Sequence, residues 1–378
     1  MRLSHLLRLS LVFAGGGLAL AADSGLKPVI PKYHLEQVIL PSADEADMKY
    51  LAFPTLLPAG PNEVLVSFKR GYKHGGDKEA QIEAFRFDTA KNVASQRQVI
   101  AYDAGFIQQM AEWVRFPNGD IAVYMDVQHL GADGRNYRTG MRENRSRDGG
   151  KTFEGLKKSP LVDGRECGYP FDFIVEGNTT YMLVMGFGYR PGERWSVDVI
   201  KSTDNGGSWS FVRNLSTEFG IPQTESAFIR HGDGFIVSTV GYDQNLMARL
   251  HETDGNFKVR RQVELTRKYP FIERSIGRPR LFKRDGNLYL LGRNWRTTEP
   301  HGSKMELVLL KIDPASLAVT QWAILDNLER ASVTDGYYAM PYFQDHDGQT
   351  YLSIITYKGV DGRPPQIIRL EYLWNEIR

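Results

Sequence analysis

Two octapeptides constrain this chain more than any other feature: Ser146-Arg147-Asp148-Gly149-Gly150-Lys151-Thr152-Phe153 and Ser202-Thr203-Asp204-Asn205-Gly206-Gly207-Ser208-Trp209. Both read Ser-x-Asp-x-Gly-x-(Thr/Ser)-aromatic, and their starts lie 56 residues apart. The spelling suits a tight turn between strands: the Asp folds back onto backbone N–H groups, a glycine takes positive φ, and the aromatic seats the hairpin in the core. One match is a weak signal. Two at a domain-like period predict a repeated β unit.

Self-comparison of the chain supplies the rest of that unit. An apolar strand, a Gly/Asn/Asp turn and a second apolar strand recur at 53–68, 110–125, 169–185, 224–240, 277–292 and 338–355, with successive starts 57, 59, 55, 53 and 61 residues apart. Each unit leaves room for two further strands, such as Gln81–Phe87, Ser196–Ser202 and Met305–Ile312. The two Asp turns fall between the third and fourth strands of units two and three. Helical periodicity is scarce. The pattern predicts an all-β fold: a six-bladed β-propeller with four antiparallel strands per blade over residues 45–378. Strand-like Leu35–Leu40, in a lead-in over residues 22–44, and Ile367–Leu373 are expected to share one blade, closing the ring and covering an edge. Five or seven blades, or a β-helix, are the competing architectures.

Composition narrows the partners. The formal charge is +2 with no basic run, so nucleic acid and anionic membrane surfaces are not expected partners. Arg2 and Arg8 precede an apolar run ending in Ala19-Leu20-Ala21, which reads as a secretory signal over residues 1–21. Its removal leaves a net charge near zero and no membrane span. Export to a bacterial periplasm or the cell exterior is expected, as a monomer. The single cysteine, Cys167, leaves no internal disulfide. Eight scattered histidines without close pairing give no metal signature, and no cofactor is expected.

In a propeller the innermost strands face the axis, so polar residues at their starts converge on one mouth. Here those positions are Ala52-Phe53-Pro54, Glu112-Trp113, Phe171-Asp172, Glu225-Ser226, Arg278-Pro279-Arg280 and Tyr338. Carboxylates, arginines and aromatics meeting in one cleft suit a carbohydrate substrate, with acids for proton transfer and rings for stacking on sugar faces.

With its two Asp turns and sixfold repeat the chain resembles the sialidase superfamily, whose members carry Asp-boxes on a six-bladed propeller. The stretch from Phe53-Pro54-Thr55 through Lys69-Arg70 to Asp77 is similar to the sialidase opening, which implies Asp77 as acid/base. Thr224-Glu225-Ser226 resembles the strand whose glutamate activates a nucleophilic tyrosine, and Asp335-Gly336-Tyr337-Tyr338-Ala339 resembles the strand carrying that tyrosine, with Tyr338 the better fit and Tyr337 one register off. Sialidases hold the substrate carboxylate with three arginines, a planar fork matching a carboxylate. Here the first position is Ala52, Tyr242 stands near the second and Lys304 near the third.

The resemblance therefore implies an exported glycan-degrading enzyme cleaving a glycosidic bond, with a specificity other than ordinary sialic acid. Glu225, Asp77 and Tyr338 are its expected catalytic residues. Arg70, Glu112, Asp172, Tyr242, Arg278, Arg293 and Lys304 are its expected substrate-binding residues. Two alternatives stand beside it: a non-catalytic glycan- or protein-binding propeller, and a polysaccharide lyase that needs a His or Tyr base for a uronate, for which His74 and His129 lie in suitable loops.

Overall fold

Residues 25–186, 196–241, 247–296, 304–327 and 333–378 are described by the computed structural model. The expected signal segment lies outside them. Among the described residues no helix is long and apolar enough to cross a membrane.

The strands assort into six antiparallel sheets that follow one another along the chain. Blade one runs Tyr50–Gly60, Glu63–Gly71, Gln81–Asp88 and Val93–Ala101. The inner strands of blades two to five are Phe106–Arg115, Gly168–Glu176, Gln223–His231 and Ile276–Arg284. Blade six begins with an inner strand in two pieces, Val333–Gly336 and Met340–His346, both paired with Gln349–Val360. Its third strand is Gln366–Leu373, and its outermost is Leu35–Leu40 from the start of the described chain, in antiparallel register from Leu35 opposite Glu371. The six-bladed, four-stranded architecture closed by both ends of the chain is therefore the one expected.

Burial falls from hub to rim, which explains why the inner strands carried the clearest repeat. In blade one the second and third strands are buried on both faces, while the fourth alternates exposed and half-buried residues. Strands packed between neighbouring blades must be apolar on both sides; rim strands need only one such side. The interblade layers are large and apolar: Leu65, Ile82, Trp113 and Val123 join blades one and two, and Leu307, Leu309, Leu352 and Ile354 join blades five and six.

The Asp turns are built as their spelling predicts, and they do more than reverse the chain. Asp148 Oδ1 accepts the backbone N–H groups of Lys151 and Thr152, and Asp204 Oδ1 accepts that of Ser208. The hydroxyls of Thr152 and Ser208, which donate to Asp148 and Asp204, together with these backbone groups hold both carboxyls below the usual carboxylate range. Gly150 and Gly206 both take positive φ. Each turn also docks on the preceding blade. Arg86, on blade one, donates to the Gly149 carbonyl at 2.5 Å, and Arg145, on blade two, donates to the Asn205 carbonyl at 2.8 Å. A Cβ on Gly150 would strike Leu65, and one on Gly206 would strike Phe116 and Tyr124. Glycine is needed there for close approach as well as for φ.

Candidate active site at the hub

Every inner strand breaks its pairing at the same level. The register shifts between Ala52 and Thr55, Gln109 and Glu112, Gly168 and Asp172, Gln223 and Ser226, and Gly277 and Arg280. In blade six the inner strand is interrupted outright at residues 337–339. Phe53, Met110, Tyr169, Arg278 and Tyr337 take φ between 45° and 69° at these points. Bulges re-aim side chains, and non-glycine residues in the left-handed region carry strain that concentrates at functional sites. Here they lie at or beside the polar residues Glu112, Asp172, Glu225, Arg278 and Tyr338.

Glu225 is the meeting point. The Tyr338 hydroxyl donates a short hydrogen bond to Oε1 of Glu225, and the Tyr169 hydroxyl approaches the same oxygen at 3.4 Å. The backbone N–H of Arg278 donates to Oε2 at 2.6 Å. A Cβ on Gly277 would crowd Arg293 Nε at 3.3 Å while only touching Oε2 at 3.4 Å. Burial, reinforced by the Glu225 charge, raises the Tyr338 hydroxyl well above the ordinary phenol range, while Arg293 and Arg278 pull the other way. The Arg293 guanidinium sits 4.8 Å from the Tyr338 ring centre and 4.9 Å from that of Trp295. Tyr337, one residue earlier, points elsewhere: its hydroxyl donates to Asp326 at 3.0 Å.

Beneath this pair an ion cluster spans the axis. Glu112 of blade two accepts from Arg278 and Arg280 of blade five, both at 2.6 Å. All three side chains are nearly fully buried. Asp172 lies 3.8 Å from Arg280 and accepts the backbone N–H groups of Phe173 and Phe228 at 2.9 and 3.1 Å. It is surrounded by protein yet keeps a fifth of its side-chain surface open to the mouth. That burial pushes its carboxyl up to about 6 despite the opposing pull of Arg280. Among the described residues three donors in this region, Nη1 of Arg278, Nε of Arg280 and Nε of Arg293, are buried without a hydrogen-bond partner.

Asp77 and Arg70 do not join this group. The Asp77 carboxylate is wholly buried, 2.7 Å from the equally buried ammonium of Lys69, and it accepts the N–H groups of Tyr72 and Lys73. It folds its own loop down instead of facing the mouth. Arg70 belongs to an outer network with Glu45, Asp47 and Glu83. Strand alternation explains the difference: successive side chains face opposite sides, so Lys69 and Arg70 cannot both turn inward. It is Lys69 that lies beneath the hub aromatics, 5.7 Å from the Phe53 ring centre.

The same loop instead presents His74. Its imidazole is half-exposed, with Nδ1 2.8 Å from Asp335 Oδ2 and its ring 4.9 Å from that of Phe53. Phe53 in turn lies 5.1 Å from the Tyr338 ring. Tyr50 and Tyr357 both donate to Asp335, fixing the carboxylate. His74 and Asp335 are 261 residues apart in the chain, and only the closed ring brings them together. His129 stacks on Tyr137 instead, 5.6 Å away. Lys304 opens the third strand of blade five, but its side chain, like Tyr242, lies outside the described residues.

No family model matches this chain, and no curated protein matches it. Solved structures do. A protein of unknown function from Dyadobacter fermentans superposes with a TM-score of 0.71 at 14% identity, covering 92% of this chain and 99% of that one. The K499G mutant of NanB sialidase from Streptococcus pneumoniae follows at 0.64 and 11% identity, covering 90% and 71%. Trypanosoma rangeli sialidase in complex with sialic acid gives 0.56 at 12% identity, covering 94% of this chain and 59% of that one. The chain thus shares the six-bladed fold of the sialidases.

Proposed function

We propose that this chain is an exported glycan-degrading enzyme that cleaves a glycosidic bond at the propeller hub. The observation that carries this reading is the Tyr338–Glu225 hydrogen bond, with the guanidinium groups of Arg278 and Arg293 beside it. Glu225 is placed to take the phenolic proton as the Tyr338 oxygen bonds to the anomeric carbon and the glycosidic C–O bond breaks. The departing oxygen needs a proton from a separate acid, and His74 at the rim is the exposed group that supports that role. The two guanidinium groups stabilise negative charge developing on the phenol oxygen, and a water deprotonated by His74 then attacks the anomeric carbon, releasing the sugar as the phenol oxygen regains its proton from Glu225.

Specificity follows from what surrounds the pair. Ala52, fully buried in blade one, offers no cation where the resemblance to sialidases leads one to expect an arginine. Of the three arginines gathered from blade five, Arg278 and Arg280 are engaged by Glu112. The buried, unpartnered N–H groups of Arg278 and Arg293 favour a sugar bearing an acidic substituent, in an arrangement other than that expected for ordinary sialic acid.

The test is release of reducing sugar from a panel of neutral, sulfated and uronate-containing glycans. Activity on one of these that Glu225→Gln abolishes supports the reading; saturable glycan binding without product formation overturns it in favour of a lectin. A second reading is favoured by the His74–Asp335 pair. An imidazole held by a carboxylate is equipped to abstract the proton α to a uronate carboxyl and drive β-elimination. A product carrying a new C=C bond would select that reading.

A further inference from the structure

At the far end of blade six from Tyr338, His34 converges with two side chains more than 300 residues further along the chain. His34 precedes the outermost strand, His346 ends the inner strand, and Glu371 sits on the third. Nε2 of His34 lies 3.8 Å from Oε1 of Glu371, and Nε2 of His346 lies 3.5 Å from the same oxygen. One ligand atom from each residue falls within 4.8 Å of the others. We propose that these three residues form a site for a divalent transition-metal cation of the zinc type, which fastens the lead-in to the closing blade.

The arrangement around them is that of an oriented ligand set. Oε2 of Glu371 is taken by Arg369, through a short hydrogen bond, and by the Ser353 hydroxyl at 2.6 Å. Oε1 is thereby turned toward the two imidazoles. His346 Nδ1 lies 3.3 Å from Asp347 Oδ2. With the proton on Nδ1 directed at Asp347, Nε2 turns its lone pair toward Oε1 of Glu371, and a cation held between the two atoms would satisfy both. Outer carboxylates of this kind recur behind metal-bound histidines.

The buried Tyr351 ring supports both imidazoles: His346 stacks on it at 3.9 Å and 3°, and His34 lies 4.5 Å away. Tetrahedral zinc with bonds of about 2.0–2.2 Å places neighbouring ligand atoms roughly 3.3 Å apart, so small side-chain shifts complete the geometry. His34, His346 and Glu371 also line a cavity of about 460 Å³ with Asn62, Gln344 and Asp345. That opening leaves a fourth position for water. Sequence spacing gave no hint of the site, because His34 reaches the other two residues only through closure of the ring.

The experiment is calorimetric titration of the untagged protein with Zn²⁺, paired with thermal melts with and without the metal. One equivalent is expected to bind and to raise the melting temperature. His34→Ala and His346→Ala remove exposed or half-buried groups and leave Glu371 paired with Arg369, so both variants should fold; each is expected to weaken Zn²⁺ binding roughly tenfold or more. Absence of stoichiometric binding, or binding undiminished in both variants, overturns the proposal. So does a pH-dependent melting temperature that both substitutions abolish while Zn²⁺ has no effect, since the cation would then be a proton.

Discussion

The hydroxyl of Tyr338 on blade six hydrogen-bonds to the carboxylate of Glu225 on blade four, bridging over the arginines of blade five. The contact joins residues 113 positions apart. If these two groups perform the chemistry, Glu225→Gln and Tyr338→Phe are each expected to lower turnover by about 10²–10⁴-fold, the range for loss of a positioned proton-transfer group. Substrate affinity should change far less. Steady-state kinetics with a direct binding measurement separates the two effects, and undiminished turnover in Glu225→Gln would remove it from the mechanism.

His74 and Asp77 should behave differently although they share a loop. His74→Ala is expected to reduce turnover and to alter the pH–rate profile while leaving the melting temperature near that of the parent. Asp77→Asn is expected mainly to destabilise, because it strands the Lys69 ammonium in a fully buried position. Equal losses of turnover at unchanged stability in both variants would restore Asp77 to a direct role.

The axial cluster makes a stability prediction. Glu112→Gln leaves Arg278 and Arg280 buried without their shared counter-charge. Breaking such a group by removing one partner costs about 3–5 kcal/mol. Urea denaturation should show this loss, and a change under about 1 kcal/mol would mean that water compensates the guanidinium groups.

Acid sensitivity has an identifiable source. His251 is completely buried, stacks on Phe219 and meets the Thr239 hydroxyl at 3.0 Å; burial, helped by Arg249, pushes its imidazole down to about 3. An unfolded histidine takes a proton near pH 6.5, whereas this one stays neutral in the fold. Its contribution to stability is therefore fully present above about pH 6.5 and is lost progressively as pH falls toward about 3. Replacing it with Gln should flatten the stability profile across that window; an unchanged slope would assign the acid sensitivity to other groups.

The docking of each Asp turn on the blade before it is also testable. Arg145→Ala removes the donor to the Asn205 carbonyl and is expected to cost about 1–2 kcal/mol. Arg86→Ala should do the same at the equivalent Gly149 contact. Hydrogen exchange should rise locally in the 202–209 turn for the first and in the 146–153 turn for the second.

The comparison between sequence and structure divides along a physical line. Blade number, strand pairing and closure by Leu35–Leu40 were readable because apolar strands and Gly/Asp turns are local signals, repeated six times. The meeting of Glu225 and Tyr338 was readable because both fall at the same phase of the repeat, where the inner strand bulges or breaks. Asp77 and Arg70 were placed by chain order, and chain order does not say which way a loop folds or which of two adjacent strand residues faces in. Of the adjacent cations Lys69 and Arg70, it is Lys69 that is fully buried. The positive-φ residues Phe53, Met110 and Tyr169 carry no sequence signature, since bulky side chains are not the usual occupants of that region. The pairing of His74 with Asp335 and the grouping of His34, His346 and Glu371 depend on ring closure and so escape any local reading.

Blade six has a consequence for biogenesis. Its rim strand, Leu35–Leu40, is synthesised among the first described residues and its partner, Gln366–Leu373, among the last. A nascent chain on the ribosome therefore carries the early strand unsatisfied until translation is nearly finished. Premature termination before Gln366 would leave two raw borders on the ring, each a template for joining a second truncated molecule.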